Sequence, residues 1–267
     1  MASAENHGHR AKKSLGQNFL VDENTARRIV DALWDGGDPA AGPVLEIGPG
    51  RGALTRWLAQ AGPERLILLE KDADLADALR AAHPEAEVRE ADAMAEPWEE
   101  LPVGTHVVGN LPYNVASPII WDVCARAEGC PLAVFMVQYE VGLRICAEPG
   151  GKRYGALSVW VQSHMRARLL FKVPPTVFRP RPRVDSAVLR LTRRKQAPRH
   201  PAALAGVLRL CFQKRRKQLG NILKKHMNDD LAAWFEARGI EPSRRPETLS
   251  VEDFQTLASR MKSHFPP

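Results

Sequence analysis

The run Val44-Leu-Glu-Ile-Gly-Pro-Gly-Arg-Gly52 places three glycines directly after an apolar segment and before a stretch of helical composition. Glycine allows tight backbone turns and lets a ligand approach the main chain without a Cβ in the way. Glu70 lies 22 positions beyond Gly48, at the end of the next apolar segment. A carboxylate there can accept hydrogen bonds from ribose hydroxyls, so loop and acid together predict a nucleoside-binding site.

This glycine loop by itself does not identify which of two cofactors binds there. Gly48-x-Gly50-x-x-Ala53 also satisfies the relaxed fingerprint of NAD-dependent oxidoreductases. Asp92 follows the next predicted strand, where it can accept a hydrogen bond from an adenine amino group. A glycine loop, a ribose acid and an adenine acid at successive strand ends resemble the S-adenosylmethionine-dependent methyltransferase fold. Taken alone, the glycines could form a tight turn without a ligand, and Asp92 could be a helix cap.

A second motif, Asn110-Leu-Pro-Tyr113, follows the fourth predicted strand. It resembles the Asn-x-Pro-Tyr signature of methyltransferases that act on an exocyclic amino group. The lone pair of adenine N6 is delocalised into the ring, so N6 is a poor nucleophile until acceptors hold its hydrogens. We expect the Asn110 side-chain oxygen and the Leu111 carbonyl to accept from it, Pro112 to fix the turn, and Tyr113 to stack on an unstacked base. Enzymes that methylate protein glutamine share this logic, so the tetrapeptide alone does not indicate RNA.

Charge is distributed very unevenly along a chain whose formal net charge is +7 and whose pI is about 9.4. Residues 21–165 contain 12 basic and 22 acidic residues, whereas residues 166–225 contain 18 Lys and Arg and a single acid, Asp185. A one-sided basic block predicts a polyanionic partner, nucleic acid first. A basic face that only aids solubility is the alternative.

The composition argues against several other classes. No run approaches the ~20 uncharged apolar residues that a membrane span needs. The segment Met1 to Arg10 is polar and lacks the apolar core of a secretory signal, which predicts a cytoplasmic protein. The four cysteines show no Cys-x-x-Cys pair and no histidine spacing typical of a zinc site, so we expect no metal.

From Pro43 onward, short apolar runs alternate with helical stretches, which predicts an α/β fold with a parallel sheet. The predicted strands are Val44 to Ile47, Arg65 to Glu70, Glu87 to Glu90, His106 to Gly109, Leu132 to Gln138, Leu157 to Gln162 and Ala187 to Thr192. Helices are predicted at Leu54 to Ala61 and Ala73 to Ala82. The proline- and charge-rich tract 193–201 is typical of a linker, and Leu204, Val207, Leu208, Cys211 and Phe212 follow helical spacing after it.

The motifs taken together resemble the KsgA family of small-subunit ribosomal RNA adenine dimethyltransferases over nearly the whole chain. They are Lys13-Ser-Leu-Gly-Gln-Asn-Phe-Leu20, Glu46-Ile-Gly-Pro-Gly50, Asn110-Leu-Pro-Tyr113, Pro149-Gly-Gly-Lys-Arg-Tyr-Gly-Ala-Leu-Ser-Val159, Val173-Pro-Pro175 with Phe178-x-Pro-x-Pro182, Val184-Asp-Ser-Ala-Val188, and Arg215-Arg-Lys217 with Asn221. The resemblance implies methyl transfer from S-adenosylmethionine to N6 of two adjacent adenines near the 3' end of 16S rRNA, in an immature 30S subunit.

The resemblance also implies an architecture. We expect a Rossmann-like class I methyltransferase domain with a mostly parallel seven-stranded sheet, followed by a small α-helical C-terminal domain. Its boundaries are predicted as an arm at 1–20 that closes on the cofactor, a methyltransferase domain at 21–197 and an rRNA-binding helical domain at 198–267. A monomer is expected.

The same resemblance implies roles for individual residues. The expected cofactor-binding residues are Gln17, Asn18, Leu20, Gly48, Gly50, Glu70, Asp92 and Asn110, with the first three closing over the ligand and Gly48 at its methionine part. Phe178 would face Tyr113 across the target base, although it could instead be a core aromatic. Asn18 and Leu20 could likewise be only part of an N-terminal arm. The expected RNA-binding residues are Arg179, Arg181, Arg183, Lys214, Arg215, Arg216 and Lys217.

Two alternatives remain open besides an NAD-dependent oxidoreductase. One is an Erm-type 23S rRNA adenine methyltransferase, which shares both pockets. The other is a non-catalytic RNA-binding ribosome-assembly factor that retains the fold. The segment Phe178-Arg-Pro-Arg-Pro-Arg183 is more arginine-rich than the KsgA pattern, so contacts there transfer less directly.

Overall fold

The structure is a computed structural model that describes residues 17–34, 38 and 41–265. Two compact units are present. The first extends to Gly142 and includes Arg168–Arg193, and the second comprises Leu143–Ala167 and the chain from Arg194 onward. The part of the predicted arm before residue 17 lies outside the described residues, and the predicted domain boundaries remain a prediction.

The described chain alternates strands and helices in its first half and is helical toward its end. The strands are β1 (Phe19–Leu20), β2 (Val44–Ile47), β3 (Leu66–Glu70), β4 (Glu87–Glu90), β5 (His106–Asn110), β6 (Leu132–Gln138), β7 (Met165–Val173), β8 (Phe178–Arg179) and β9 (Ser186–Arg193). The helices are α1 (Glu23–Trp34), α2 (Thr55–Ala61), α3 (Ala73–Ala82), α4 (Ala116–Arg126), α5 (Tyr139–Ile145), α6 (Ala156–His164), α7 (Pro201–Gln213), α8 (Leu219–Leu223), α9 (Asp229–Ala237) and α10 (Val251–Arg260).

Seven strands form one sheet in the order β4-β3-β2-β5-β6-β9-β7. The strands from β4 to β6 are parallel to their neighbours, while β9 runs antiparallel to β6. Chain order reverses at β2, which pairs with β3 on one side and with β5 on the other. In doubly wound folds ligands bind at this switch point, beyond the carboxyl ends of the strands.

The sheet confirms the predicted fold class: an α/β, Rossmann-like, mostly parallel seven-stranded sheet. Every residue of β2 and β3 is buried, and so is β6 up to Val137. Such continuous apolar runs are typical of central parallel strands covered on both faces. The predicted helix Ala73 to Ala82 is confirmed as α3, on which Leu75 and Leu79 are buried.

One predicted strand is wrong. Leu157 to Gln162 lies inside α6, not in the sheet. All residues from Leu157 to Val161 are buried, so the segment has no polar face to show a helical period, and a short apolar run then looks like a buried strand. Strand β7 was not predicted, because Arg166, Arg168 and Lys172 interrupt the apolar pattern of this half-exposed strand.

The second unit is helical, as predicted for the chain after the proline-rich tract. Its helix α7 buries Leu204, Val207, Leu208 and Cys211, in agreement with their spacing. The ring of Phe212 on α7 lies 5.5 Å from that of Phe254 on α10. Among the described residues, no helix combines the length and the hydropathy required to cross a bilayer.

Candidate active site

A cleft opens at the carboxyl ends of β2, β3 and β5 in the first unit. It is lined by all of the predicted cofactor residues and by the whole Asn-Leu-Pro-Tyr motif: Gln17, Asn18, Leu20, Gly48, Gly50, Glu70, Asp92, Asn110, Leu111, Pro112 and Tyr113. Five separate segments of the chain meet here: the arm and the segments at the ends of β2, β3, β4 and β5. The last four come together because successive parallel strands end at the same edge of the sheet.

The glycine loop after β2 has a backbone that other residues rarely adopt. The φ angles of Gly48 and Gly50 are +63° and +60°. A Cβ on Gly50 would lie 3.2 Å from the ring of Phe19, whereas a Cβ on Gly48 would meet no atom within 4 Å. The loop thus packs against the N-terminal arm at Gly50 and leaves bare backbone beside the cleft at Gly48.

Glu70 connects this loop to the end of β3. Its Oε2 accepts a hydrogen bond from the Gly50 N–H at 2.9 Å, and its Oε1 accepts one from the Asp72 N–H at 2.9 Å. The residue is only 5% exposed, and this burial raises the pKa of its carboxyl. Each carboxylate oxygen keeps a second lone pair, so the side chain can still accept from a ligand's hydroxyl groups.

Asp92 is held in a turn after β4. Its Oδ1 accepts from the Met94 N–H at 2.9 Å, and its Oδ2 lies 2.7 Å from the Nζ of Lys71. The hydrogen bond from Lys71 lowers the pKa of the Asp92 carboxyl, followed by the bond from Met94. No helix begins at this turn, so Asp92 is not a helix cap, and its charge faces the cleft edge beside Met94.

Glu46 is a cleft residue that the sequence analysis did not single out. It is 1% exposed on β2, and its Oε2 accepts from the Thr55 hydroxyl at 2.7 Å. Burial raises the pKa of this carboxyl to about 8, with a smaller contribution from Glu70. The available signal was a lone acid inside the otherwise apolar strand Val44–Ile47.

Asn110 is oriented by the N-terminal arm. Its Nδ2 donates a hydrogen bond to the Asn18 carbonyl at 3.1 Å. Since the amide nitrogen makes that bond, the side-chain oxygen is the atom able to accept from a substrate. The Leu111 N–H donates to the Met136 carbonyl at 3.0 Å, which extends the pairing of β5 with β6 into the motif.

Tyr113 is fixed at its far end. Its hydroxyl lies 2.7 Å from the Oγ of Ser186, a residue with 0% exposure at the start of β9. Burial raises the pKa of the Tyr113 phenol, so it stays neutral at physiological pH. Ser186 was missed as a site residue; its signal was a polar residue opening an apolar strand.

Phe178 is placed differently from the other predicted residues. It is 0% exposed, does not line the cleft and belongs to the main apolar core, opposite Leu20 in the β1–β8 pair. Its ring is a core aromatic in this structure. The predicted stacking of Phe178 on a target base therefore stays a prediction that the cleft geometry does not support.

The predicted RNA-binding residues fall into two groups. Arg179, Arg181 and Arg183 are exposed in the first unit, and Lys214, Arg216 and Lys217 are exposed in the second. Arg215 differs from its neighbours: its Nη2 donates to the Lys152 carbonyl at 2.7 Å and its Nε lies 3.9 Å from the Glu247 carboxylate. Arg215 thus holds the loop before α6, and the surrounding cations face solvent.

The described part of the chain offers no metal centre. Across residues 17–34, 38 and 41–265, no three His, Cys, Asp or Glu side chains come together in a way that could hold an ion.

The fold and the cleft define a Rossmann-like methyltransferase. The family model described as ribosomal RNA adenine dimethylase matches residues 8–263. The chain therefore belongs to the ribosomal RNA adenine dimethylase family. This membership resolves the ambiguity of the glycine loop in favour of a methyltransferase over an NAD-dependent oxidoreductase.

Relatives and solved structures agree with this family. Two proteins named ribosomal RNA small subunit methyltransferase A are similar: that of Maridesulfovibrio salexigens is 50% identical over 97% of this chain and 98% of its own, and that of Nitratidesulfovibrio vulgaris strain Hildenborough is 54% identical over 93% and 95%. A dimethyladenosine transferase from Plasmodium falciparum has the same fold, with a TM-score of 0.76 at 22% identity, covering 92% of this chain and 98% of its own. The 23S rRNA methyltransferase ErmE is 29% identical with a TM-score of 0.70, covering 92% and 100%.

Proposed function

We propose that the protein transfers methyl groups from S-adenosylmethionine to N6 of two adjacent adenines near the 3' end of 16S rRNA. Its substrate is an immature 30S subunit in the cytoplasm, and it acts as a monomer. The observation that carries the proposal is the position of the Asn110 amide, which shares one cleft with the Glu70–Gly50 bridge. The names of relatives at 50% and 54% identity support the choice of the small subunit.

The residues of the cleft fit S-adenosylmethionine. The bare backbone at Gly48 accommodates close approach, Glu70 offers acceptors for ribose hydroxyls, and Asp92 offers one for the adenine amino group. Gln17, Asn18 and Leu20 line the cleft from the arm side and would close over the ligand. When bound, this cofactor supplies an electrophilic methyl group on a positively charged sulfur.

The chain's own contribution to chemistry is to hold the methyl-accepting amine. The Asn110 oxygen and the Leu111 carbonyl accept from the two hydrogens of N6, which directs the nitrogen lone pair out of the ring plane. The same two dipoles stabilise positive charge as it develops on nitrogen. Pro112 closes the turn through its carbonyl, which accepts from Val115 at 3.1 Å, and Tyr113 provides a face for the unstacked base.

The basic residues would bind the RNA backbone. Exposed cations supply affinity and orientation through phosphate, while the unstacked base supplies recognition. Among the predicted residues, Arg179, Arg181, Arg183, Lys214, Arg216 and Lys217 have the exposure that this role needs. Arg215 would act indirectly, by holding the loop at Lys152 in place.

An Erm-type activity is the second candidate, because ErmE shares the fold at 29% identity. The two candidates differ in which rRNA carries the label. We expect tritium from labelled S-adenosylmethionine to enter 16S rRNA when 30S and 50S particles from a deletion strain are both offered as substrates. Label in 23S rRNA instead would establish the Erm-type activity, and RNA binding without any label would establish a non-catalytic assembly factor.

Asn110→Ala tests the catalytic proposal directly. Loss of the amide oxygen should lower the rate of methyl transfer to immature 30S particles by about a hundredfold or more, the usual cost of removing one group that stabilises developing charge. Cofactor affinity by calorimetry should change far less, by under about threefold, because Asn110 is only one of several cofactor-binding residues and Glu70 and Asp92 are intact. The exposed Asn24 on α1 provides a control, Asn24→Ala, with unchanged rate. A wild-type rate in Asn110→Ala would refute the role.

A further inference from the structure

The hydroxyl of Tyr113 is anchored to a strand that lies two positions away in the sheet. Tyr113 follows β5, whereas its partner Ser186 begins β9, and β6 lies between those strands. The 2.7 Å hydrogen bond therefore spans β6 and joins the substrate side of the cleft to the antiparallel part of the sheet. Neither cofactor binding nor methyl transfer to N6 requires this contact.

Ser186 is itself rigidly placed. It is fully buried and stands opposite Gln138 in the β6–β9 pair. The carbonyl of the preceding residue, Asp185, accepts from the Tyr139 N–H at 2.9 Å, and its carboxylate lies 2.7 Å from the Nζ of Lys172. The entry of β9 is thus held at Asp185 by a backbone and a side-chain contact and at Ser186 by strand pairing, so the Ser186 Oγ is a fixed point for any side chain that binds it.

A hydrogen bond at the phenol oxygen has a particular effect on an aromatic side chain. The orientation of a tyrosine ring is set by two torsions, χ1 and χ2. A bond at the phenol oxygen restricts χ1 by anchoring the far end of the ring. It also favours one χ2, because the hydrogen-bonding directions of a phenol oxygen lie in the ring plane. It does so without covering either face of the ring, which stays available for stacking. Restricting the ring before a ligand arrives lowers the entropy lost when the ligand binds.

We propose that Ser186 is a positioning residue for the methyl-accepting base, acting through the Tyr113 hydroxyl to set the plane on which the base stacks. This inference rests on the proposed function, in which Tyr113 stacks on the target adenine. Ser186 touches neither cofactor nor base in this role. Its removal leaves the cofactor site at Glu70 unchanged and alters only how often the base is aligned for transfer.

The first test reads the tyrosine directly and needs no substrate. The chain has three tyrosines, so 3-fluorotyrosine labelling gives three fluorine resonances, assigned with Tyr139→Phe and Tyr154→Phe. Ser186→Ala should shift and narrow the Tyr113 resonance and leave the other two in place. Ser163→Ala is the matched control, because Ser163 is also fully buried but, within the described residues, its Oγ has no hydrogen-bond partner. An unchanged Tyr113 resonance in Ser186→Ala would overturn the tether.

The second test is kinetic, on immature 30S particles with saturating cofactor. Ser186→Ala and Tyr113→Phe should each lower kcat by about fivefold to tenfold, the value of one well-placed hydrogen bond, with cofactor Kd unchanged. The double variant should be no slower than the slower single variant, because both remove the same bond. A kcat within twofold of wild type, or losses that multiply in the double variant, would overturn the proposal.

The two tests separate this inference from the proposed function. If the wild-type protein methylates 30S particles while Ser186→Ala matches it, the inference fails and the function stands. If the wild-type protein transfers no methyl group, the function fails, and a Tyr113 resonance that Ser186→Ala leaves unchanged would refute the tether as well. Because Tyr113→Phe retains the ring, it decides the kinetic question even if Ser186→Ala folds poorly.

Discussion

The cleft of the first unit keeps two carboxylates, those of Glu46 and Glu70, away from solvent, whereas the second unit exposes its cations to it. Glu46 and Glu70 are 1% and 5% exposed, and their oxygens accept from Thr55, Gly50 and Asp72 at 2.7 to 2.9 Å. The cations around Arg215 project into water instead. The two cleft carboxylates therefore lie in a low-dielectric environment, whereas the cations of the second unit lie in water.

This difference has consequences for binding. A buried carboxylate held by backbone N–H groups interacts strongly over a short range and presents a fixed geometry. An exposed cation is screened by salt within about 10 Å, and it contributes affinity for phosphate without fixing a position. The cleft is thus suited to selecting one small ligand, and the basic surface to attracting a long polyanion.

Replacing the most deeply buried acid should change stability more than any other substitution considered. The folded pKa of Glu46, about 8, lies above its unfolded value of 4.5, so only the folded state holds the proton between these values. The wild-type free energy of unfolding should therefore fall as pH rises from 5 to 8. Glu46→Gln keeps an acceptor for Thr55 and should remove roughly 4 kcal/mol of this fall, at about 1.4 kcal/mol per pH unit.

Urea unfolding of the ligand-free protein at pH 5 and pH 8 measures this effect. Glu64→Gln, at an exposed position, is the control and should follow the wild-type pH dependence. Parallel pH dependence in Glu46→Gln and wild type would show that Glu46 is ionised in the folded cleft.

Glu70→Gln should have the next largest effect, on cofactor affinity. The Gln amide group cannot accept at both positions, so either Gly50 or Asp72 loses its acceptor and a ribose hydroxyl loses a charged partner. We expect the Kd for S-adenosylmethionine to rise by about a hundredfold, with RNA affinity unchanged. Calorimetry and filter binding measure the two quantities, and equal losses in both would contradict the division between cleft and surface.

Exposed cations should affect RNA binding alone. The triple change Lys214→Gln, Arg216→Gln and Lys217→Gln should weaken RNA binding by about thirtyfold at low salt. It should also reduce the slope of log affinity against log salt by about two, at ~0.7 per lost single-strand phosphate contact. Filter binding between 50 and 200 mM salt tests this expectation. An unchanged slope would show that these residues do not contact RNA phosphates.

Arg215→Lys should have the smallest effect and a different character. Lysine keeps the charge but cannot reproduce the bond from the guanidinium to the Lys152 carbonyl. We expect a loss of about 1 kcal/mol in the free energy of unfolding, with an unchanged salt slope for RNA. A reduced slope would place Arg215 among the phosphate contacts, beside Lys214 and Arg216.

Much of the cleft was predictable because it depends on local order. Gly48, Glu70, Asp92 and Asn110 lie at or just after the ends of separate strands, and parallel strands bring their carboxyl ends to one edge of the sheet. The strands themselves were recognisable where apolar runs were continuous, as in Leu132–Gln138. These strands could be predicted because a continuous apolar run is a property of the local sequence.

Other features could not be predicted from that information. The run Leu157 to Val161 is buried on all sides within α6, so no polar face reveals its helical period, and burial depends on what surrounds the run. Tyr113 and Ser186 are 73 residues apart, and their contact depends on β9 lying beside β6. Arg193 is the first residue of the tract 193–201 that was predicted to be a linker. In the structure, the Arg193 guanidinium donates to carbonyls at the end of α4, among them those of Cys124 and Ala127.

By itself, the sequence determined which residues allow tight turns, accept a proton or carry charge. It also determined which of them follow successive strands of the sheet. Tertiary structure alone decided which of those groups lost contact with water. Burial raises the pKa of Glu46 and makes Phe178 a core residue. Arg215 is less exposed than Lys214, Arg216 and Lys217 because it binds the Lys152 carbonyl. The reason is physical: hydration and dielectric environment are properties of the packed surroundings, and residues distant in the chain supply those surroundings.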